Sequence, residues 1–496
     1  MTGAHVRADR MDAMVQSFER KQSVAIVGGG PGGYEAALSA AQLGADVTLV
    51  ERAGVGGSAV ITDVVPSKTL IATADAAVAI RNASSLGVQL FAKDDRGKPL
   101  TPEVAINLAA VNQRLLSLAR QQSDDMRSSL LEAGVRIISG HGRLDGNGAV
   151  VVSTEAGGTD FDRIEAETLV VSVGASPREL PSAQPDGERI LTWTQLYNMK
   201  SVPSHLIVVG SGVTGAEFAS AYMNLGAKVT LVSSRDQVLP GEDQDAAAVL
   251  ERVFQRGGMT LLAKARAESV VNTGEGVVVT LADGRTIEGS HCLMAVGSIP
   301  NTAGLGLEQA GVQMTPSGHI RVNRVARTSV PNIYAAGDCT NFYPLASVAS
   351  MQGRQAIFHA LGDIVIPLET RRITANIFTA PEIATVGFSE QDVVEGRIAG
   401  KVRKLPLSAN PRAKMQGITD GFVKLIAREG SGTVMGGVIV GPKASELIYP
   451  IAIAVERRLT VDQVARVFAV YPSLTSSITD AARAMHIVDR DDPGED

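Results

Sequence analysis

One pattern constrains this chain more than any other, because it occurs twice. Ser23-Val-Ala-Ile-Val27 reads as a short apolar strand that runs into Gly28-Gly-Gly30-Pro-Gly-Gly33. A helical pattern follows, and then a second strand, Asp46-Val-Thr-Leu-Val50, ends at Glu51. Far downstream, Leu206-Ile-Val-Val209 runs into Gly210-Ser-Gly212-Val-Thr-Gly215, again followed by a helix and a strand, Lys228-Val-Thr-Leu-Val232. In such a unit the glycines allow a tight turn, close approach of a phosphate and close packing of helix on strand. The helix N-terminus then offers free amides to a pyrophosphate. One glycine loop is weak evidence. Two, each in full strand–loop–helix–strand context, imply two dinucleotides on one chain and electron transfer from a nicotinamide to a flavin.

The two units end differently. Glu51 places a carboxylate where it can accept both ribose hydroxyls of an adenosine. The second unit ends at Ser233-Ser234-Arg235, with no carboxylate and a cation close by. That arrangement suits a 2′-phosphate better than a free diol. The alternative is that Arg235 is a solvated loop cation.

Composition narrows the class further. Hydrophobic residues are 45% and charged residues 20%, as in ordinary globular chains. The net charge of -6 gives no electrostatic reason to bind nucleic acid or anionic lipid. No apolar run approaches the roughly 20 residues of a membrane span. With only two cysteines, Cys292 and Cys339, a disulfide framework is excluded, and a reducing, cytoplasmic setting is expected. Residues 1–22 read as a flexible polar lead and 486–496 as a frayed acidic tail. No metal site is expected.

These motifs together resemble the pyridine nucleotide–disulfide oxidoreductases, the family of dihydrolipoamide dehydrogenase and glutathione reductase. The resemblance runs from about Val24 to Asp480. Gly28 to Ala37 is similar to the family's FAD-binding start, Val170-Val-Ser-Val-Gly-Ala-Ser-Pro177 to the return into the flavin domain, and Ala295-Val-Gly-Ser-Ile-Pro-Asn-Thr302 to the segment closing the nicotinamide domain. Ile333-Tyr-Ala-Ala-Gly-Asp338 resembles the second FAD motif, whose Asp holds the ribityl chain. Leu345-Ala346, with Gly353, resembles the helix facing the flavin pyrimidine. Phe378-Thr-Ala-Pro-Glu-Ile-Ala384 and Gly421-Phe-Val-Lys424 resemble the dimerisation domain.

The resemblance implies an α/β chain with two Rossmann-like dinucleotide-binding domains and an α+β dimerisation domain. The expected division is 23–180 and 301–368 for FAD, 181–300 for NAD(P) and 369–485 for the interface. It implies FAD held by Gly28, Gly30, Gly33, Glu51, Gly57, Ser58, Lys68, Gly174, Asp338, Leu345 and Ala346. The nicotinamide, NADPH by preference with NAD also possible, falls to Gly210, Gly212, Gly215, Glu217, Ser233, Arg235 and Gly297.

The departures from the family pattern carry the functional information. The family's redox segment reads Gly-Gly-Thr-Cys-Leu-Asn-Val-Gly-Cys-Ile-Pro-Ser-Lys. Here it reads Gly56-Gly-Ser-Ala59-Val-Ile-Thr-Asp-Val64-Val-Pro-Ser-Lys68, with the register fixed at both ends. Ala59 and Val64 stand at both cysteine positions. The family's His-Pro-Thr-x-x-Glu dyad is also absent: Tyr471-Pro-Ser-Leu-Thr-Ser476 replaces it, and none of the seven histidines lies close by in sequence. Cys292 and Cys339 read as packing residues. Thiol, base and orienting carboxylate are all missing, so disulfide chemistry is abandoned.

The other half of the machinery remains. Lys68 matches the family lysine beside the flavin N5, and Glu217 matches the carboxylate paired with it; a surface charge and a helix-dipole partner are the plainer alternatives. The expected reaction is electron transfer from NAD(P)H through FAD to a quinone, by a homodimer in which a second copy's Tyr471 approaches the acceptor, either acting on it or only filling the space of the missing His. Pyridine nucleotide transhydrogenation and a non-catalytic redox-sensing flavoprotein are the competing readings. The physiological acceptor and the choice between one- and two-electron transfer stay open.

Overall fold

A computed structural model describes residues 21–92, 95–100 and 103–486. The expected lead, apart from its last two residues, and the expected tail, apart from its first, lie outside the described residues. Contacts divide the chain into two compact units. The first comprises Met1–Val65, Ser117–Ser176 and Ser298–Leu368; the second comprises Pro66–Leu116, Pro177–Gly297 and Glu369–Asp496.

In the first unit, β1 (Ser23–Val27), α1 (Pro31–Gln42) and β2 (Asp46–Glu51) form the expected strand–helix–strand. β1 is apolar and buried from Val24 onward, because both faces of a parallel sheet are covered. The sheet is five-stranded, in the order Ile333–Ala335, Thr168–Val171, β1, β2, Arg136–Ser139. Every neighbour pair is parallel. An antiparallel meander of His141–Leu144, Ala149–Ser153 and Asp160–Glu165 follows the Arg136–Ser139 strand in sequence. The helix Ala346–Ala360 packs on α1 at glycine contacts: a Cβ on Gly353 would stand 2.1 Å from the Gly32 carbonyl oxygen.

The second unit repeats this plan and adds a sheet. β3 (His205–Val209), β4 (Lys228–Val232) and β5 (Thr260–Leu262) belong to a second parallel sheet, with α2 (Val213–Asn224) and α3 (Gln244–Arg256) in the connections between them. Its order is Ile190–Leu191, His291–Met294, β3, β4, β5. It too carries a three-stranded antiparallel meander, Ala267–Asn272, Val277–Leu281 and Thr286–Gly289. The added sheet is antiparallel, in the order Thr374–Ile377, Glu382–Gly387, Val434–Gly441, Phe422–Arg428, Gly400–Pro406. It packs with Tyr449–Glu456 and Ser476–Arg483 in a core of its own. The mixed α/β architecture expected from the sequence is the one observed.

Lys424 ties this added sheet to the start of α3. Its side chain is 1% exposed, and its ammonium bonds both oxygens of Asp243, at 2.8 and 3.0 Å, together with Asp245 and Glu390. A lysine buried this deeply keeps its charge only with such partners.

Candidate functional site

In the first unit the three glycines divide the work. A Cβ on Gly28 would lie 2.3 Å from the Ser172 carbonyl oxygen, and one on Gly33 would lie 1.9 Å from that of Gly28. Both glycines are therefore demanded by the fold. Gly30 has nothing within 4 Å of its missing Cβ. It opens onto free space at the N-terminus of α1, where no side chain caps the helix amides. That is the cradle a pyrophosphate needs. Gly57, at φ +56, packs against Gly30: its Cβ would meet the Gly30 Cα at 2.8 Å. Ser58 is exposed in the short helix Gly57–Ile61.

Glu51 ends β2, and both carboxylate oxygens accept backbone amides. Oε2 takes Gly29 N at 2.6 Å, while Oε1 takes Ala53 N at 2.7 Å and Gly54 N at 3.2 Å. The carboxylate thus locks the glycine loop, with three of its roughly four lone-pair sites taken by amides and one on Oε2 left over. Asp338 stands beyond Ile333–Ala335 with no hydrogen-bond partner for its carboxylate among the described residues. Burial pushes its carboxyl above the ordinary value, and His319 opposes that only in part. An unpaired, largely buried carboxylate fits hydroxyl donors such as those of a ribityl chain. Leu345 caps the helix Ala346–Ala360 in extended conformation without a side-chain bond, so the Ala346 end keeps free amides. Gly174, at φ +65, has open space at its missing Cβ, and its carbonyl accepts Asn301 N at 3.0 Å.

The second unit repeats the glycine geometry. A Cβ on Gly210 would lie 2.1 Å from the Ala295 carbonyl oxygen and one on Gly215 1.8 Å from that of Gly210, while Gly212 faces open space. Gly297, at φ +96, is likewise open. The strand end differs. Ser233 is buried, and its hydroxyl accepts from Ser211 Oγ at 2.7 Å and from Arg235 N at 3.1 Å. Arg235 is exposed. The sequence marked Ser233 as the place of a missing carboxylate; the structure adds that its hydroxyl is spent inside the loop.

Lys68, on the helix Val64–Asn82, and Glu217, on α2, meet within the second unit. Lys68 Nζ lies 2.7 Å from Glu217 Oε2, and Glu217 is 5% exposed. The other oxygen, Oε1, accepts Phe378 N at 2.8 Å. The Phe378 ring receives the ammonium at 4.7 Å from its centroid. With both oxygens engaged, Glu217 is a fixed charge that orients Lys68. Sequence reasoning missed the part of Phe378, which comes from a strand end 161 residues beyond Glu217.

Ala59 and Val64 leave no sulfur in the segment. Cys292 and Cys339 are both fully buried, and burial pushes both thiols up, that of Cys339 to about 11. Neither is a nucleophile at neutral pH. Tyr471 is 78% exposed on the chain, in an apolar exposed stretch with Val467, Phe468 and Val470.

Comparison with known proteins agrees with this geometry. Residues 22–353 match the family described as pyridine nucleotide-disulphide oxidoreductase, and residues 373–482 match the dimerisation domain of that family. The chain belongs to this family, whose cofactors are FAD and NAD(P)H. It is 50% identical over 470 residues, 93% of each chain, to a protein of Mycobacterium tuberculosis named NAD(P)H dehydrogenase (quinone). It is 33% identical to a dihydrolipoyl dehydrogenase of Geobacillus stearothermophilus, across 95% of this chain and 97% of that one. The crystal structure of LpdA from Mycobacterium tuberculosis matches with a TM-score of 0.88 at 49% identity, across 94% of this chain and all of the other. Among the described residues, no helix is long and apolar enough to cross a membrane.

Proposed function

We propose that this chain is an FAD-dependent NAD(P)H:quinone oxidoreductase with no disulfide reductase activity. One observation carries the reading: Ala59 and Val64 stand where both redox thiols belong, while the Lys68–Glu217 pair is intact at 2.7 Å. Its relative in Mycobacterium tuberculosis bears a name of the same meaning. FAD supplies acceptance of a hydride from NAD(P)H and onward delivery of electrons. The chain's own residues hold and orient. Gly30 and Gly212 admit the two pyrophosphates, Glu51 accepts the FAD ribose, and Asp338 accepts the ribityl hydroxyls. Lys68 is the fixed cation assigned to the flavin N5, held in place by Glu217 and the Phe378 ring. Such a charge stabilises an electron-rich partner without rearrangement. Ser233 and Arg235 support NADPH as the preferred reductant.

The exposed stretch Val467–Tyr471 supports a homodimer, because large apolar side chains that bare on one chain suit burial against a second copy. In that assembly Tyr471 is assigned to the acceptor side. A cytoplasmic location fits two buried, unpaired thiols.

The test is a steady-state comparison on purified holoenzyme. NADPH oxidation should proceed with benzoquinone or naphthoquinone acceptors and not with lipoamide or glutathione disulfide. The Ala59→Cys, Val64→Cys double variant should recover little lipoamide activity, since Tyr471 and Ser476 still replace the acid–base dyad. Wild-type lipoamide turnover would overturn the reading. So would rapid cross-reduction of a second nicotinamide without quinone turnover.

A further inference from the structure

The loop that follows β4 is tied to the loop that follows β5. Ser233 N donates to Leu262 O at 2.8 Å, Ala265 N to Ser233 O at 2.7 Å and Lys264 N to Arg235 O at 2.9 Å. Residues 233–235 and 264–265 are therefore tied into one rim. Lys264 sits at φ +54, a left-handed conformation that costs a long side chain roughly 1 kcal/mol or more. The loop holds its backbone there, bonded to that of Arg235, so both residues lie on the rim beyond Ser233. The Lys264 side chain is 74% exposed. Its carboxylate neighbour is Asp236, at 3.6 Å and 81% exposed. A pair that long in water is worth at most about 1 kcal/mol and yields readily to a stronger anion.

We infer that Lys264 is a second cation for the adenosine 2′-phosphate of NADPH, completing with Arg235 a clamp supplied by two different loops. The inference rests on NADPH as the reductant proposed above. The two cations are not redundant: the guanidinium offers a planar fork of donors and the ammonium a compact charge on a flexible stem. Asp236 sharpens the choice. With a 2′-hydroxyl, nothing draws Lys264 away from Asp236. With a 2′-phosphate, the doubly charged group outcompetes one carboxylate.

The test is calorimetric titration of the holoenzyme with adenosine 2′,5′-bisphosphate and with AMP, ligands that differ only in the 2′-phosphate. Wild type should bind the bisphosphate more tightly. Lys264→Gln should weaken the bisphosphate about three- to tenfold and leave AMP within about twofold; Lys264→Arg should keep most of the affinity. Lys264→Gly, which adopts the left-handed backbone freely, should lose bisphosphate affinity like Lys264→Gln while raising the melting temperature. FAD absorbance and melting temperature report folding in each case. If Lys264→Gln binds both ligands like wild type while wild type still prefers the bisphosphate, the inference about Lys264 is overturned and the NADPH reading stands. Equal weakening of both ligands also overturns it, by reducing Lys264 to a loop support. Absence of any wild-type preference for the bisphosphate removes the NADPH reading and this inference with it.

Discussion

The two dinucleotide units of this chain are the same construction finished in two ways. Each has a five-stranded parallel sheet and a three-stranded meander. Each has two glycines whose missing Cβ would strike a carbonyl oxygen and one that faces open space. The register is also shared: Gly28 N bonds Val50 O and Gly210 N bonds Val232 O, which places Glu51 and Ser233 at equivalent points. There the units part. Glu51 points a carboxylate at the glycine loop, whereas Ser233 turns inward to Ser211 and Arg235 is exposed on the rim. The repeated part is what the fold requires, and the divergent part is where the proposed choice of ligand is tested.

The sharpest way to break the comparison is through the glycines. Gly33→Ala and Gly215→Ala each force a Cβ to within 2 Å of a carbonyl oxygen. Each should cost about 3 kcal/mol or more, because backbone cannot give way as a side-chain tip can. Gly30→Ala and Gly212→Ala should leave the melting temperature of the ligand-free protein nearly unchanged. The first should lose FAD absorbance and the second NADPH affinity, each by at least roughly tenfold. Equal destabilisation by all four variants would show that the open glycines are not ligand positions.

Exchanging the strand ends should have the next largest effect. Ser233→Glu breaks the hydroxyl bond to Ser211 and sets a carboxylate against a 2′-phosphate. The KM for NADPH should rise about tenfold and that for NADH should fall. Glu51→Ser releases the amides of Gly29, Ala53 and Gly54. It should weaken FAD and cost roughly 1–3 kcal/mol in thermal unfolding. A Ser233→Glu enzyme with unchanged selectivity would deny the second strand end any part in specificity.

Much of this was legible in the chain itself. Both glycine loops, the carboxylate at 51 and its absence at 233 are local patterns, and the two missing thiols are a comparison within one short segment. What was not legible depends on residues far apart in sequence. Nothing near Ser233 says that its hydroxyl is consumed by Ser211. Phe378 contributes both an amide to Glu217 and a ring to Lys68 only because a strand of another sheet ends beside α2. The left-handed turn at Lys264 is fixed by the rim bonds, not by its own residue type. The sequence signals composition and spacing, whereas these features are set by tertiary contacts.

The smallest expected effect concerns a further difference between the units. Ile333–Ala335 leads to Asp338, whereas the corresponding strand of the second sheet, Ile190–Leu191, leads to Thr192, whose amide bonds Gln195 Oε1 at 2.9 Å. Burial raises the Asp338 carboxyl above its ordinary value. Between that ordinary value and the raised one, the FAD-free folded chain holds a proton that the unfolded chain has released. The sign follows from this. Asp338 detracts from stability above the raised pKa, and that penalty fades as pH falls through it. Hydroxyl donors from FAD favour the ionised form and should reverse the upward shift. FAD affinity should therefore decline as pH falls from neutrality through the raised value. Asp338→Asn should bind FAD about fivefold more weakly at neutral pH and lose that acid dependence, because an amide has no proton to take up. Fluorescence titration of apoprotein with FAD across this range measures both. An Asn variant that keeps the wild-type acid slope would place the titrating group elsewhere and leave Asp338 as a carboxylate that FAD does not use.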